Sequence, residues 1–195
     1  MKSFSPLFEQ LQSALQALPG VGPRSAQRMA LHLLERQREA GQQLAQSLAS
    51  AIESIQYCER CHVLSEQAQC QICADPERET GAVLVVENPG QLLAFERAGL
   101  HDGQYFVLNG LISPLDGVSP ETARIPALLD RVAQASEIIL ALSSSVEGEA
   151  TAQYIRAQLP DHRVTRLARG VPMGSDVEQL DPSTLGLAFG AREVF

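Results

Sequence analysis

Tryptophan is absent from this 195-residue chain, aromatic residues make up only 5% of it, and cysteine occurs four times. No apolar run approaches the roughly 20 residues needed to cross a bilayer, so no membrane association is expected. The opening Met1-Lys2-Ser3-Phe4-Ser5 lacks the basic-then-apolar pattern of a secretory signal. Positive charge is also scarce. The net charge of −8 argues against a surface coated for nucleic acid. The deficit is uneven, however. Residues 1–40 carry five basic residues (Lys2, Arg24, Arg28, Arg36, Arg38) against three acidic ones (Glu9, Glu35, Glu39), whereas the remainder carries ten against twenty. A phosphate-binding surface is therefore expected only near the N-terminus. Binding there would be modest per subunit and steeply salt-dependent, and an oligomer would multiply it. With 45% apolar residues the chain is long enough for one large domain or two small ones with a real core.

All four cysteines fall in one stretch, Cys58-Glu59-Arg60-Cys61 and Cys70-Gln71-Ile72-Cys73. Two C-x-x-C knuckles that close together surround one tetrahedral Zn²⁺ with four thiolates. The alternatives are four ordinary thiols or two disulfides, but buried structural cysteines have no reason to fall into paired knuckles. A four-thiolate site has no open coordination position, so its expected task is structural. Its use of every cysteine suits a reducing cytosol. His62 is a possible substitute ligand, expected to point to solvent instead.

Before the knuckles the pattern is helical. Ser5-Pro6 reads as N-cap and first helical residue. Leu7, Leu11, Ala14, Leu15 and Leu18 then recur at helical spacing up to Pro19-Gly20. A second helix starts near Pro23 or Arg24. A third is expected from about Gln42 to Ile55, with Leu44, Leu48, Ile52 and Ile55 facing inward. The turn Leu18-Pro19-Gly20-Val21-Gly22-Pro23-Arg24-Ser25-Ala26 looks like a helix-hairpin-helix element. There Gly20 and Gly22 permit backbone conformations denied to other residues, and free N–H groups at the start of the second helix face a phosphate. Val21 is expected to plug the bundle core. Arg24 and Arg28, four residues apart, share a face beside that anion site. Such a hairpin reads backbone rather than bases, so binding without sequence specificity is expected. The alternative is a purely structural turn.

After a polar connector at 75–81, apolar runs alternate with amphipathic stretches. Strands are expected at 82–86, 105–108, 137–142 and 163–167, with helices through Leu92–Ala98, from Ile125 to about Ala135, and from near Glu147 to before Pro160. This alternation implies a parallel α/β sheet. Residues 109–123 form a long loop of the kind that serves binding or moves. Sites in such sheets form at the carboxyl ends of strands. Glu87 stands at one such end and Ser143-Ser144-Ser145-Val146-Glu147-Gly148-Glu149 follows another. The pattern is similar to the Toprim domain of topoisomerases, primases and some nucleases. Aligned on Glu147 and Glu149, the Asp-x-Asp slot of that family is Ser143-Ser144-Ser145. Mg²⁺ needs anionic oxygen ligands that serine does not supply, so catalysis is not expected. The three tyrosines offer no assignable topoisomerase nucleophile. The plainer account of Glu147 and Glu149 is that acidic residues favour a helix N-terminus.

A helix-hairpin-helix, a four-cysteine knuckle and a degenerate Toprim domain, in that order, resemble the RecR family of bacterial recombination mediators over nearly the whole chain. Matching stretches are 18–28, the four cysteines, Ser-Pro-Leu-Asp-Gly at 113–117, Glu-Gly-Glu-Ala-Thr-Ala at 147–152 and Ala-Arg-Gly-Val-Pro-Met-Gly at 168–174. The resemblance implies a multidomain fold mixing α+β and α/β parts. Its segments would be a helix-hairpin-helix DNA-binding bundle at 1–56, a four-cysteine zinc finger at 57–74, a Toprim domain at 81–176 and a C-terminal oligomerisation segment at 177–195. It implies a non-enzymatic, cytoplasmic, nucleoid-associated protein that acts with RecO and RecF to load RecA onto single-stranded DNA gaps, as a ring-shaped tetramer. The implied sites are Cys58, Cys61, Cys70 and Cys73 for one structural Zn²⁺, Gly20, Gly22, Arg24 and Arg28 for DNA, and Glu87, Glu147 and Glu149 for residual Toprim chemistry or contact with RecO. Two departures from the family stand out, and the second counts against Mg²⁺. Serines replace the family's frequent Asn-Pro-Thr at 143–145, and Gln91 stands where an Asp is frequent. The enzyme alternative is a Mg²⁺-dependent Toprim nuclease or primase-like protein, and an RNA-binding maturation factor is a third class. At the C-terminus, Asp181 and Pro182 are expected to open a helix running to about Arg192. Its Leu185, Leu187, Ala188 and Phe189 would serve subunit packing or simple docking.

Overall fold

A computed structural model describes residues 5–168 and 170–192. The chain divides into two compact units, Met1–Ile55 and Gln56–Phe195, which are taken separately.

In the first unit, α1 (Pro6–Gln16) begins as expected, with Ser5 Oγ accepting from the Phe8 N–H and proline in the first turn. Its inward stripe runs through Phe8, Leu11 and Leu15 rather than through Leu7, which is 75% exposed. The register follows the largest ring, which buries the most area. Ala26 and Ala30 of α2 (Pro23–Glu35) are fully buried, and such small side chains let helices approach closely. Helix α3 (Arg38–Ser54) starts four residues earlier than the sequence suggests. Arg38 Nε donates to the Leu34 carbonyl at 2.7 Å, so the end of α2 runs almost directly into α3. None of α3 is buried. Leu44, Leu48 and Ile52 are 55%, 58% and 73% exposed, and Ile55 is exposed too, which corrects the expectation that they face inward. Helical periodicity identifies an apolar face but not the body that covers it.

The second unit opens with a short antiparallel ladder. It pairs β1 (Gln56–Tyr57) with β2 (Leu64–Ser65), and the one-turn helix α4 (Gln71–Ala74) follows. Then come β3 (Ala82–Val86), α5 (Pro89–Ala98), β4 (Gln104–Val107), α6 (Ile125–Val132), β5 (Glu137–Ala141), α7 (Val146–Gln158), β6 (Val164–Arg166) and α8 (Pro182–Gly190). The four main strands form one parallel sheet in the order β4-β3-β5-β6, as the alternation predicts. Because β3 is central it is apolar on both faces. Val83 and Val85 meet Phe106, Ile138, Leu140, α6 and α7 on one side. Leu84 and Val86 meet Tyr105, Val107 and Leu92 of α5 on the other. The helices start where side chains satisfy their free N–H groups. Asn88, Ser145 and Asp181 cap α5, α7 and α8 respectively, and Gly99 closes α5 in the left-handed conformation.

The cysteine segment lies along the outer edge of β4. Val107 N–H donates to the Cys61 carbonyl at 2.8 Å. Val63 and Ile72 belong both to the thiol cluster and to the α5-side core, while His62 sets its ring edge-on against Phe106, 5.1 Å away. His62 is thus half-buried and packed rather than turned to solvent, at a left-handed φ of 61°. The polar connector at 75–81 is fastened by Arg78. Its guanidinium forks onto Glu96 at 2.6 and 3.2 Å and also donates to the Gly103 and His101 carbonyls. The loop at 109–123 is tethered as well, since Thr151 Oγ1 of α7 accepts from Ile112 N–H at 2.8 Å. Helix α8 ends at Gly190, short of Arg192, and buries none of its residues.

Candidate nucleic-acid interface and metal centre

The hairpin turn joins α1 to α2 through two glycines with different roles. Gly20 has φ +79° and needs the freedom of glycine. Gly22 is extended, at φ −82° and ψ 173°, so the expectation of an unusual backbone at both glycines holds only for Gly20. Gly22 is the N-cap of α2, and no side chain caps that end. Nor is any residue of the first turn acidic. A helix end in this state presents free N–H groups and the positive pole of the helix dipole to an anion. Arg24, Gln27, Arg28, Leu31, His32 and Glu35 of the same helix line one open face with its C-cap Arg36. Neither Arg24 nor Arg28 enters an ion pair among the described residues. Val21 is half-buried beneath the turn.

The four cysteine sulfurs lie within 4.8 Å of one another, all buried, and none is in a disulfide. Four sulfurs about 2.3 Å from a tetrahedral zinc stand roughly 3.8 Å apart, so this set fits the ion. Local backbone fixes it: the His62 N–H donates to the Cys58 carbonyl, and the Cys70 N–H donates to Cys58 Sγ at 3.3 Å. Hydrogen bonds from the other thiols, Cys61 first, hold Cys73 down to about 6 against the effect of burial. The bond with Cys73, together with burial, pushes Cys61 up, and burial raises Cys70. Four buried thiolates gathered this closely repel one another and need a cation between them. Burial, with the Arg124 charge beside it, lowers the pKa of His62.

At the carboxyl end of the sheet, Glu87 and Glu147 share an open cleft of about 570 Å³ with Asn88, Asn109, Ser113 and Asp116. A Glu87 carboxylate oxygen accepts from the Ser143 N–H, and the Glu87 N–H donates to Gln91 Oε1 at 2.8 Å. Gln91 therefore serves a backbone where the family often has an acid. The serines in the Asp-x-Asp slot are also occupied. Ser145 caps α7, and the Ser143 hydroxyl lies 3.0 Å from that of Ser145. Glu149 stands apart from the cleft, paired with Arg166 of β6 at 3.1 Å. Among the described residues, the cysteine quartet is the one group of three or more potential ligands brought within reach of a single ion. Asp116, absent from the acids singled out by sequence, lies in the Ser-Pro-Leu-Asp-Gly stretch that carried the resemblance, and it accepts from Ser113 Oγ at 2.7 Å.

Models of known families match in the same order along the chain. The RecR helix-hairpin-helix covers residues 8–52, the four-cysteine zinc finger domain of RecR 55–75, the Toprim domain 81–168 and the RecR C-terminal segment 170–193. Proteins named recombination protein RecR are similar over the full length. The one from Stutzerimonas stutzeri is 49% identical, that from Alcanivorax borkumensis 47% and that from Saccharophagus degradans 45%, with 97–98% of this chain and 98% of each relative covered. The chain belongs to the RecR family. The multidomain RecR fold, with its helix-hairpin-helix, four-cysteine zinc finger and Toprim parts, thus has the order along the chain that the sequence motifs imply. No helix among the described residues is long and apolar enough to cross a membrane.

Proposed function

We propose that this chain is a DNA-binding mediator of recombinational repair that acts without catalysis. In this reading it works with RecO and RecF to load RecA onto single-stranded gaps. It does so as a ring-shaped homotetramer, cytoplasmic and nucleoid-associated, with one structural Zn²⁺ per chain. The observation that carries DNA binding is the uncapped start of α2 at Gly22, with Arg24 and Arg28 beside it and free of ion pairs among the described residues. Backbone donors and two cations fit phosphates and read no base. Assembly is supported by apolar surface left open on both α3 (Leu44, Leu48, Ile52) and α8 (Leu185, Leu187, Phe189). Glu87 and Glu147, with Glu149 at its separate position, serve partner contact. The donor set at the sheet end argues against Mg²⁺ catalysis, because serine and glutamine occupy the acidic slots and already bond protein groups.

The test is binding of gapped DNA by the zinc-loaded full chain and by Arg24→Glu/Arg28→Glu, at several salt concentrations. Each lost phosphate contact removes about 0.7 from the salt slope on single strands. The double variant is therefore expected to lose about 1.4 per subunit and nearly all affinity at 150 mM salt, with its far-ultraviolet spectrum unchanged. Undiminished binding refutes the hairpin assignment. Tighter binding of structured RNA at matched salt favours a maturation factor, and Mg²⁺-dependent cleavage abolished by Glu87→Ala restores the enzyme reading. Light scattering with and without DNA tests assembly, and a monomer throughout removes the ring.

A further inference from the structure

The basic face of α2 does not stop beside the hairpin. Arg24, Arg28, His32 and Arg36 follow one another at intervals of four, which places them on one row of the helix and its C-cap. They line an open groove of about 500 Å³ in which Glu35 is the only acid among the lining residues. None of the three guanidiniums, nor Glu35, enters an ion pair among the described residues. A cation near the end of a helix ordinarily answers the free carbonyls there. At this end Arg38 does so, its Nε donating to the Leu34 carbonyl at 2.7 Å. The Arg36 side chain is left with no hydrogen bond or ion pair among the described residues. Three guanidiniums against one carboxylate make the groove positive in a chain whose net charge is −8.

A row at four-residue spacing is not parallel to the helix axis but leans by about 26°. From Arg24 to Arg36 it advances about 18 Å and winds about a third of a turn. A duplex bends only over a persistence length of about 50 nm, so its backbone can follow the row over no more than part of its length. A single strand, whose backbone turns at every nucleotide, can follow all of it, as strands do in other positively charged grooves. We propose that this row is a track for the backbone of single-stranded DNA, on which His32 and Arg36 carry the strand beyond the phosphates held at Arg24 and Arg28. The imidazole donates a hydrogen bond to a phosphate oxygen, and Arg36 supplies a third cation. Glu35 opposes the strand and limits its affinity. This inference rests on the DNA-binding reading given above and extends it. The hairpin end of α2 accepts the backbone of either form of DNA, whereas the far end selects the unpaired strand.

The experiment measures binding of single-stranded oligothymidylate, and of a blunt duplex of the same length, to zinc-loaded full-length protein at several salt concentrations. Arg36→Gln is expected to remove about 0.7 from the single-strand salt slope and to leave the duplex slope unchanged. Arg38→Gln removes the same charge from a side chain already bonded to a carbonyl, and should change neither slope. His32→Ala should weaken single-strand binding about two- to tenfold, the worth of one hydrogen bond. Glu35→Gln should tighten it about two- to fivefold, the scale of one exposed charge interaction, and a gain of that kind does not come from damage to the fold. A single-strand slope of Arg36→Gln equal to the parent's overturns the proposal, as does an equal loss on duplex or in Arg38→Gln. Undiminished binding by Arg24→Glu/Arg28→Glu removes the DNA-binding reading itself. Binding lost in that double variant but unchanged in Arg36→Gln removes the track alone.

Discussion

Glu96 is the place where a single substitution most clearly tests how the connector is held to the sheet. Its carboxylate accepts two hydrogen bonds from Arg78, at 2.6 and 3.2 Å, and one from the Tyr105 hydroxyl at 2.7 Å. Tyr105 is fully buried, while the Arg78 and Glu96 side chains are 18% and 28% exposed. Glu96→Ala leaves a buried hydroxyl without its acceptor, a cost of about 1–3 kcal/mol. It also leaves Arg78 without its counter-charge, though still bonded to the Gly103 and His101 carbonyls. Breaking a fully buried pair costs about 3–5 kcal/mol, and partial exposure lowers that, so about 3 kcal/mol in total is expected for Glu96→Ala. Tyr105→Phe keeps the ion pair and should cost about 1 kcal/mol. Glu96→Gln keeps an acceptor but not the charge and should fall between them. Arg78, and after it Tyr105, hold the Glu96 pKa below its ordinary value. Its contribution is therefore complete above the unfolded-state value of about 4.3 and disappears as pH falls through the lower folded value. The deficit of Glu96→Gln relative to the parent should thus be constant from pH 7 to 5 and shrink below pH 4. Urea unfolding with saturating zinc, compared at constant m, gives these numbers. A Glu96→Ala protein within 0.5 kcal/mol of the parent, or a Glu96→Gln deficit that grows on acidification, refutes the reasoning.

Two further substitutions test the acidic end of the sheet. Thr151→Val preserves shape but leaves the Ile112 N–H without its acceptor, so a loss of about 2 kcal/mol is expected, with faster amide exchange confined to the loop at 109–123. Gly148→Ala drives a methyl group into the Ser143 carbonyl oxygen; displacement of α7 should cost roughly 3 kcal/mol, seen as a lower urea midpoint, and an unchanged midpoint would show that the helix start yields freely.

Much of the fold was legible because it depends on local chemistry. Val83 to Val86 are apolar without alternation, as a strand covered on both faces requires, and Ser5 and Asp181 announce helix starts through capping. The cysteine quartet was legible because metal geometry fixes spacing. Features that depend on which surfaces meet were not. The α3 leucines read as inward because periodicity carries no information about the covering body. His62 read as solvent-facing because Phe106, its neighbour, is 44 residues away. Glu149 read as one acid of a trio because its pairing with Arg166 depends on β6 lying beside β5.

On the proposed zinc reading, the contact of Val107 N–H with the Cys61 carbonyl has a consequence for the chain before metal binds. An unpaired strand edge is a template on which other chains add. In the folded protein the knuckle covers that edge of β4. A chain whose knuckle has not yet closed exposes the apolar strand Gln104–Val107 to every neighbouring copy. In that reading, a shortage of zinc is expected to appear first as insoluble protein, before any loss of function in what remains dissolved.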